Sequence, residues 1–439
     1  MVTLRAPGVL ALLAVPGLFT PFPGLWLAAA AGLVVLLVGV DLAVAGAVGD
    51  LHCARAGDRQ VRTGGTGTVR LTLTNHGARP VHGRVRDAWV PSAGATSTPS
   101  GSEHLTIDPG QSWEVVTELA PTRRGDRPAV RVTVRSYGPL GLAYRQTTRR
   151  QSARLTPPWT LRALPPFTSR RFLPEKLSRL RIIDGQVVAR GRGQGTEFDS
   201  LREYVVGDDV RSIDWRATAR AEHVMVKNWR PERDRRVLCV LDTGRTSAAR
   251  VGDQPRLDAA IDAALLLAAV AAHAGDRVDL LAVDTQVRAS VSTGLHRTLL
   301  PSLVDAMATL EPELSETDFG RVVSEVLYLA RRQALVVLFT TLEPGALGEG
   351  LMPVLPQLLS RHRVLVASVQ DPTLDALAAG RGTLSAVYTA AAAEKALAGR
   401  DRVRTALTRY GVQVVESLPA SFASAVTDRY LDLKAAGAL

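Results

Sequence analysis

The chain has 439 residues, 46% of them hydrophobic and 22% charged, with a formal net charge of +11. That length exceeds what one hydrophobic core usually serves, so several folded units are expected, and two cysteines, Cys53 and Cys239, exclude a disulfide scaffold. Residues 51–236 carry 33 Lys+Arg against 18 Asp+Glu while residues 237–439 carry 19 against 22, and no nucleic-acid motif accompanies the basic half, which argues against a nucleic-acid binder.

The first element is apolar. Ala6 to Val40 is 35 residues without a charge, whereas one spanning helix takes about 20. Pro21, Pro23 and Gly24 break the stretch, which predicts a transmembrane helical hairpin with a first arm ending near Thr20 and a second running from Leu25 towards Val48. Asp41 falls near the end of the second arm. Arg5 precedes the hairpin, Arg55, Arg59 and Arg62 follow it, and its tip carries no Lys or Arg. Both ends are therefore expected on the cytoplasmic side of the plasma membrane, with the basic region facing anionic lipid heads. The competing reading is a signal peptide with Arg5 as its charged start and Ala28 to Ala31 as its cleavage region.

Residues 51–165 read as strands. Thr68 to Thr74, Trp113 to Leu119 and Val130 to Val134 alternate apolar and polar side chains, and Asn75-His76-Gly77, Asp108-Pro109-Gly110 and Arg124-Gly125-Asp126 supply turns between them. The spacing predicts a β-sandwich. His76, His82 and His104 lie on different segments without zinc-site spacing, so surface positions are expected.

Residues 166–235 read as a linker that carries a charged motif. Gly191 to Gly195 is glycine-rich but is followed by no Gly-Lys-Ser/Thr, which leaves a turn rather than a nucleotide loop. Next come Arg202, Glu203, Tyr204, Gly207, Asp208, Asp209, Arg211, Asp214 and Trp215. Three neighbouring carboxylates could hold a hard cation or supply acid and base groups, the basis of an alternative reading as a metal-dependent hydrolase. Interleaved Arg202, Arg211, Arg216 and Arg220 favour an ion-pair network that shapes a docking loop, and only His223 is near enough in sequence to act as a base.

Residues 236–439 alternate strand and helix. Strands are predicted at 237–241, 278–283, 335–339, 364–369 and 412–415, and helices at 257–274, 298–310, 319–332, 390–410 and 422–434. This is the pattern of a doubly wound α/β domain, whose function sits at the carboxyl ends of its strands. Cys239 falls inside the first strand, where an inert buried thiol is expected.

The run from Gly195 to Arg220, with Arg202-Glu203-Tyr204, Gly207-Asp208-Asp209, Arg211 and Ile213-Asp214-Trp215, resembles the signature of the bacterial family called domain of unknown function 58. Upstream, Tyr137 to Leu142 resembles that family's sandwich ending, and Glu232 and Val237 to Asp242 resemble its entry into a von Willebrand factor A-like domain. The resemblance implies a membrane-attached protein working beside an AAA+ ATPase of the MoxR type in the assembly or maturation of other proteins.

It also implies a place for a metal-ion-dependent adhesion site. Metal-binding domains of that type present Asp-x-Ser-x-Ser where this chain has Asp242-Thr243-Gly244-Arg245-Thr246. Asp242 and the Thr246 hydroxyl match, and Thr317 could supply a loop hydroxyl, but Gly244 has no oxygen and Thr340-Thr341 stand where a second carboxylate is expected, with Glu343 the nearest substitute. A degenerate site results, holding a magnesium or calcium ion weakly, or a cap in which Asp242 and Thr246 accept backbone N–H groups. The expectation is a membrane-anchored scaffold that binds a protein partner, with no resident cofactor, no nucleic acid and no small-molecule substrate.

Overall fold

The computed structural model describes residues 1–96, 103–190, 197–206, 208–230, 235–292 and 296–439. They form two compact units, Met1–Pro166 and Phe167–Leu439.

The first unit opens with α1 (Arg5–Ala14), a single 3-10 turn and α2 (Pro23–Val44). Pro23 starts α2 without needing an N–H partner, and the two helices pack together, with Trp26 Nε1 donating to Leu13 O at 2.8 Å. The stretch Pro23–Asp50 has a mean hydropathy of 2.5, making it the one helix among the described residues long and apolar enough to cross a membrane. Leu25, Leu33, Val35 and Leu36 on α2 are exposed.

Strands β1 (Leu51–Gly57), β2 (Gln60–Arg62), β3 (Gly67–Asn75), β4 (Val81–Trp89), β5 (Ala95–Thr96), β6 (Glu103–Ile107), β7 (Ser112–Leu119), β8 (Gly125–Tyr137) and β9 (Tyr144–Gln146) follow, then α3 (Arg149–Leu155) and β10 (Thr160–Leu164). They build one sheet in the order β1-β3-β7-β5 and another in the order β2-β10-β8-β4-β6, with β9 paired to β8. All pairings are antiparallel except β10 with β2. Alternation sends Val69, Leu71 and Leu73 of β3 inward and its Thr and Arg side chains outward. Leu71, Leu73 and Val115 of one sheet meet Val85, Ile107, Val132 and Val134 of the other in a single core.

The second unit begins earlier than a linker ending at residue 235 would allow. Helix α4 (Leu173–Arg190) is part of it, because buried Lys176 pairs with Asp428 at 2.8 Å and Ser169 and Thr168 bond Asp262 just upstream. Then come β11 (Glu197–Glu203), α5 (Trp215–Thr218), β12 (Met225–Arg230), β13 (Arg236–Asp242), α6 (Arg245–Ala248) and the short β14 (Arg250–Val251) and β15 (Gln254–Pro255). The α/β body continues with α7 (Arg256–His273), β16 (Arg277–Val283), β17 (Val287–Ser292), α8 (His296–Ala308), α9 (Phe319–Leu329), β18 (Leu335–Phe339), α10 (Leu355–Leu359), β19 (Arg363–Val369), α11 (Pro372–Ala378), α12 (Leu384–Arg409), β20 (Gln413–Ser417) and α13 (Pro419–Ala435).

Its sheet runs β17-β16-β13-β18-β19-β20, parallel except for the β17 edge. Strands buried on both faces need continuous apolar runs, which is what Val237 to Leu241 and Leu335 to Phe339 provide. Leu238, Val240, Val336 and Leu338 face α9, α10 and α12, while α7 and α13 cover the other face, where Phe339 meets Phe422 edge-on at 6.3 Å. The order places β13 and β18 side by side, so the loops after them share one sheet edge.

Candidate functional site

Two clusters contain the residues singled out by sequence. The motif lies on β11, β12 and the loop between them, which pair antiparallel from Glu203–Met225 to Glu197–Arg230. Arg202 makes a two-pronged bond to Asp208, Nη1 to Oδ2 at 2.6 Å and Nη2 to Oδ1 at 2.7 Å, and the Val205 N–H donates to the same carboxylate at 2.9 Å. This fork fixes the loop as it leaves β11. Asp209 caps the next turn by accepting from Arg211 N at 2.9 Å. Asp214 caps α5 by accepting from Arg216 N and Ala217 N, both at 3.0 Å, and pairs with Lys227 at 3.3 Å. Chiefly the Ala217 N–H, with Lys227 adding to it, holds Asp214 below the usual carboxylate range, while the Asp208 bond raises Arg202 above its ordinary value.

All three carboxylates thus hold backbone or a neighbouring cation. Glu203 and Arg211 are exposed, Tyr204 is half-buried with its N–H donating to Val224 O at 2.7 Å, and His223 is exposed. Gly207, the glycine run 191–195 and Glu232 lie outside the described residues. Trp215, named in the motif, is 67% exposed, and what sequence reasoning did not single out is the apolar surface that Val205, Val206 and Val210 add to this loop, Val206 being 95% exposed. Their signal was available, since apolar side chains among charged ones in a short loop have no core to enter.

The second cluster surrounds Asp242 at the end of β13, itself 2% exposed. Its Oδ1 accepts from the Gly244 N–H at 2.8 Å and from the Thr317 hydroxyl, and its Oδ2 from Thr340 Oγ1 at 2.6 Å and Thr246 Oγ1 at 3.3 Å. Asp242, Thr246 and Thr317 therefore come together, joined by Thr340 from the neighbouring β18. Glu343 instead lines a groove beside Thr246. Next to this cluster, Asp284 accepts from Thr243 Oγ1, Gln286 N and Arg288 Nε. Burial pushes Asp284 up, but Arg288 and those donors outweigh it and hold the carboxyl below its ordinary value.

A divalent cation would need hydroxyl and carboxylate lone pairs turned towards it. Here three hydroxyls and an N–H point their hydrogens at one carboxylate, and a second carboxylate is missing. Among the described residues no three His, Cys, Asp or Glu side chains converge as a metal-binding group. The donor set does not fit magnesium or calcium. Gly244 belongs to the same design: a Cβ there would overlap Thr317 Oγ1 and come within 3.1 Å of Ser315 O.

Residues 200–414 match the model of a family described as "Protein of unknown function DUF58". Uncharacterized proteins of Mycobacterium tuberculosis and Mycobacterium bovis are 26% identical to the chain over 183 residues, covering 41% of this chain and 56% of theirs. The chain thus spans just over half the length of these curated relatives. Among solved structures, the SpRpn10 VWA domain aligns with 44% of this chain and 92% of its own length at 13% identity and a TM-score of 0.25. The CARDB domain of the PF1109 protein from Pyrococcus furiosus aligns with 28% and 91% at 10% identity and a TM-score of 0.20. At TM-scores this low, the fold rests on its own strand order.

Proposed function

Residues 200–414 make this chain a member of the DUF58 family, and from that premise we propose that it is a membrane-anchored adaptor whose motif loop docks a protein partner. The observation that carries this reading is the division of labour in the loop. Arg202, Asp208, Asp209 and Asp214 are committed to holding its shape, while Val206 and Trp215 are held out to solvent. An exposed Trp on a braced loop is a recognition feature, because aromatic anchors contribute disproportionately to binding. Hydrolysis by the same carboxylates is disfavoured, since none has a histidine base bonded to it among the described residues.

The α/β body is read as von Willebrand factor A-like, with the Asp242 cluster bracing its upper edge rather than holding metal. The partner is read as an AAA+ ATPase of the MoxR type. The N-terminal helices are read as a retained hairpin anchor with the folded units in the cytoplasm, and its support is the Asp41 carboxylate. This group is fully buried and accepts from Leu140 N and Ala143 N, both at 2.8 Å. Cleavage of a signal peptide at Ala28 to Ala31 would remove Met1 to Thr3, which pair with residues 142–144, and cut α2. The test is co-purification from host membranes using a tagged full chain. The native chain is expected to bring down the ATPase, and Val206→Asp with Trp215→Ala to lose it. Retention by the double variant, or a phosphatase or peptidase activity abolished by Asp209→Ala, would overturn the reading.

A further inference from the structure

A groove of about 660 Å³ opens beside Thr246, between the loop after β18 and helix α12. It is separate from the motif loop and adjoins the Asp242 hydrogen-bond cluster through Thr246, which lines it. Its lining includes five cationic side chains, Arg245, Arg256, Lys395, Arg400 and Arg402, against one carboxylate, Glu343. Two of the five are already paired, Arg400 with Glu416 at 2.8 Å and Arg245 with Glu316 at 2.9 Å. Arg256 and Lys395 have no side-chain partner among the described residues, and Arg402 donates only to the Ala398 carbonyl on its own helix. That leaves the lining with an excess of positive charge.

Arg256 Nε and Arg400 Nη1 are buried without a hydrogen-bond partner and have essentially no accessible surface. Both atoms face protein rather than the groove, so a ligand would meet these guanidinium groups only through their other nitrogens. Burial and then the neighbouring Arg400 charge lower the Arg256 pKa, with Asp371, Glu343 and Glu416 acting the other way. The rest of the lining includes Thr246 and Thr341 and the apolar Ala249, Pro344, Leu374 and Ala396.

Guanidinium groups present a planar fork of N–H donors that matches phosphate oxygens, and a doubly charged anion answers more than one unpaired cation. We propose that this groove binds a phosphorylated small molecule, its phosphate held by Arg256 and Lys395 and its apolar body lying against Pro344, Leu374 and Ala396. The site is independent of partner docking at the motif loop, and it is a ligand site rather than a substrate site, since no nucleophile paired with a base lines it.

The test is titration calorimetry of the detergent-solubilised full chain with two probes, inorganic phosphate and phenyl phosphate. Phenyl phosphate is expected to bind saturably with one site per chain and more tightly than inorganic phosphate. Arg256→Gln and Lys395→Gln should each weaken it about tenfold or more, the loss expected for a charge-assisted bond. Lys395 is exposed, so Lys395→Gln should leave the ligand-free melting temperature unchanged and serve as the variant that cannot be dismissed as misfolded. No saturable heat with either probe, or unchanged affinity in both variants, would overturn the proposal. Equal affinity for the two probes would overturn the apolar body.

Discussion

At the residue scale, Gly244 and Asp242 explain each other. The hydroxyl of Thr317 occupies the space that a side chain at position 244 would need, and it spends its hydrogen on the Asp242 carboxylate. Gly244→Ser, which restores the metal-binding pattern on paper, is therefore expected to destabilise the α/β unit by about 1–3 kcal/mol through overpacking. The native chain should melt at the same temperature in EDTA and in millimolar magnesium, and a magnesium-dependent rise would contradict the account. Asp242, Thr246 and Thr317 could be grouped from the sequence only through the resemblance to metal-binding von Willebrand factor A-like domains, since Thr317 lies 75 residues from Asp242. The part played by Thr340 was not legible, because a residue list tells which oxygen is missing and not which way a hydroxyl points.

His362 makes a second prediction at this scale. It is 3% exposed, and neither ring nitrogen has a hydrogen-bond partner. Burial first, then the Arg361 and Arg236 charges, lower its pKa. A lowered value in the fold means that the unfolded chain takes up the proton first as pH falls through about 6.5. The contribution is therefore fully present above that pH and lost below it. Between pH 7 and pH 5 the melting temperature should fall, and His362→Leu should reduce that fall. An identical pH profile for the variant would show that His362 is not responsible.

At the scale of elements, α2 is fastened by a polar contact rather than by packing alone. Asp41 reaches the amides of Leu140 and Ala143, and Gly138 leaves room for its carboxylate. Asp41→Ala leaves those N–H groups unpaired, a cost of about 1–3 kcal/mol. Hydrogen exchange should reveal this as faster exchange at residues 140 and 143, with β3 and β7 unaffected. Sequence showed Asp41 near a helix end and Tyr137 to Leu142 as resembling a sandwich ending, but a contact between residues 99 apart leaves no periodic trace.

The same contrast runs through the α/β unit. Its central strands β13, β16, β18 and β19 were legible because double-sided burial writes apolar runs, while the edge strand β20 was read from the short run Val412 to Val415. Strand β17 was missed because, as an edge strand with four of its six residues exposed, it has no such run. Helix α4 was hidden inside an expected linker because its buried cation, Lys176, reads as a surface residue until Asp428 is brought beside it.

At the scale of the whole molecule, charge and hydropathy divide the chain into parts with separate tasks: an apolar segment at the N-terminus, a basic region after it and a near-neutral α/β body. Within this plan the motif loop is the candidate point of contact, braced by ions and tipped with apolar side chains. Both native cysteines are buried, and burial pushes their thiols up to about 12, so neither competes for a thiol reagent at neutral pH. A Val206→Cys chain carrying a benzophenone maleimide thus tests the central claim directly, by photo-crosslinking in host membranes and mass spectrometry of the adducts. The account predicts a crosslink to an AAA+ ATPase of the MoxR type that disappears when Trp215→Ala is added. An adduct to lipid alone, or none, would contradict it.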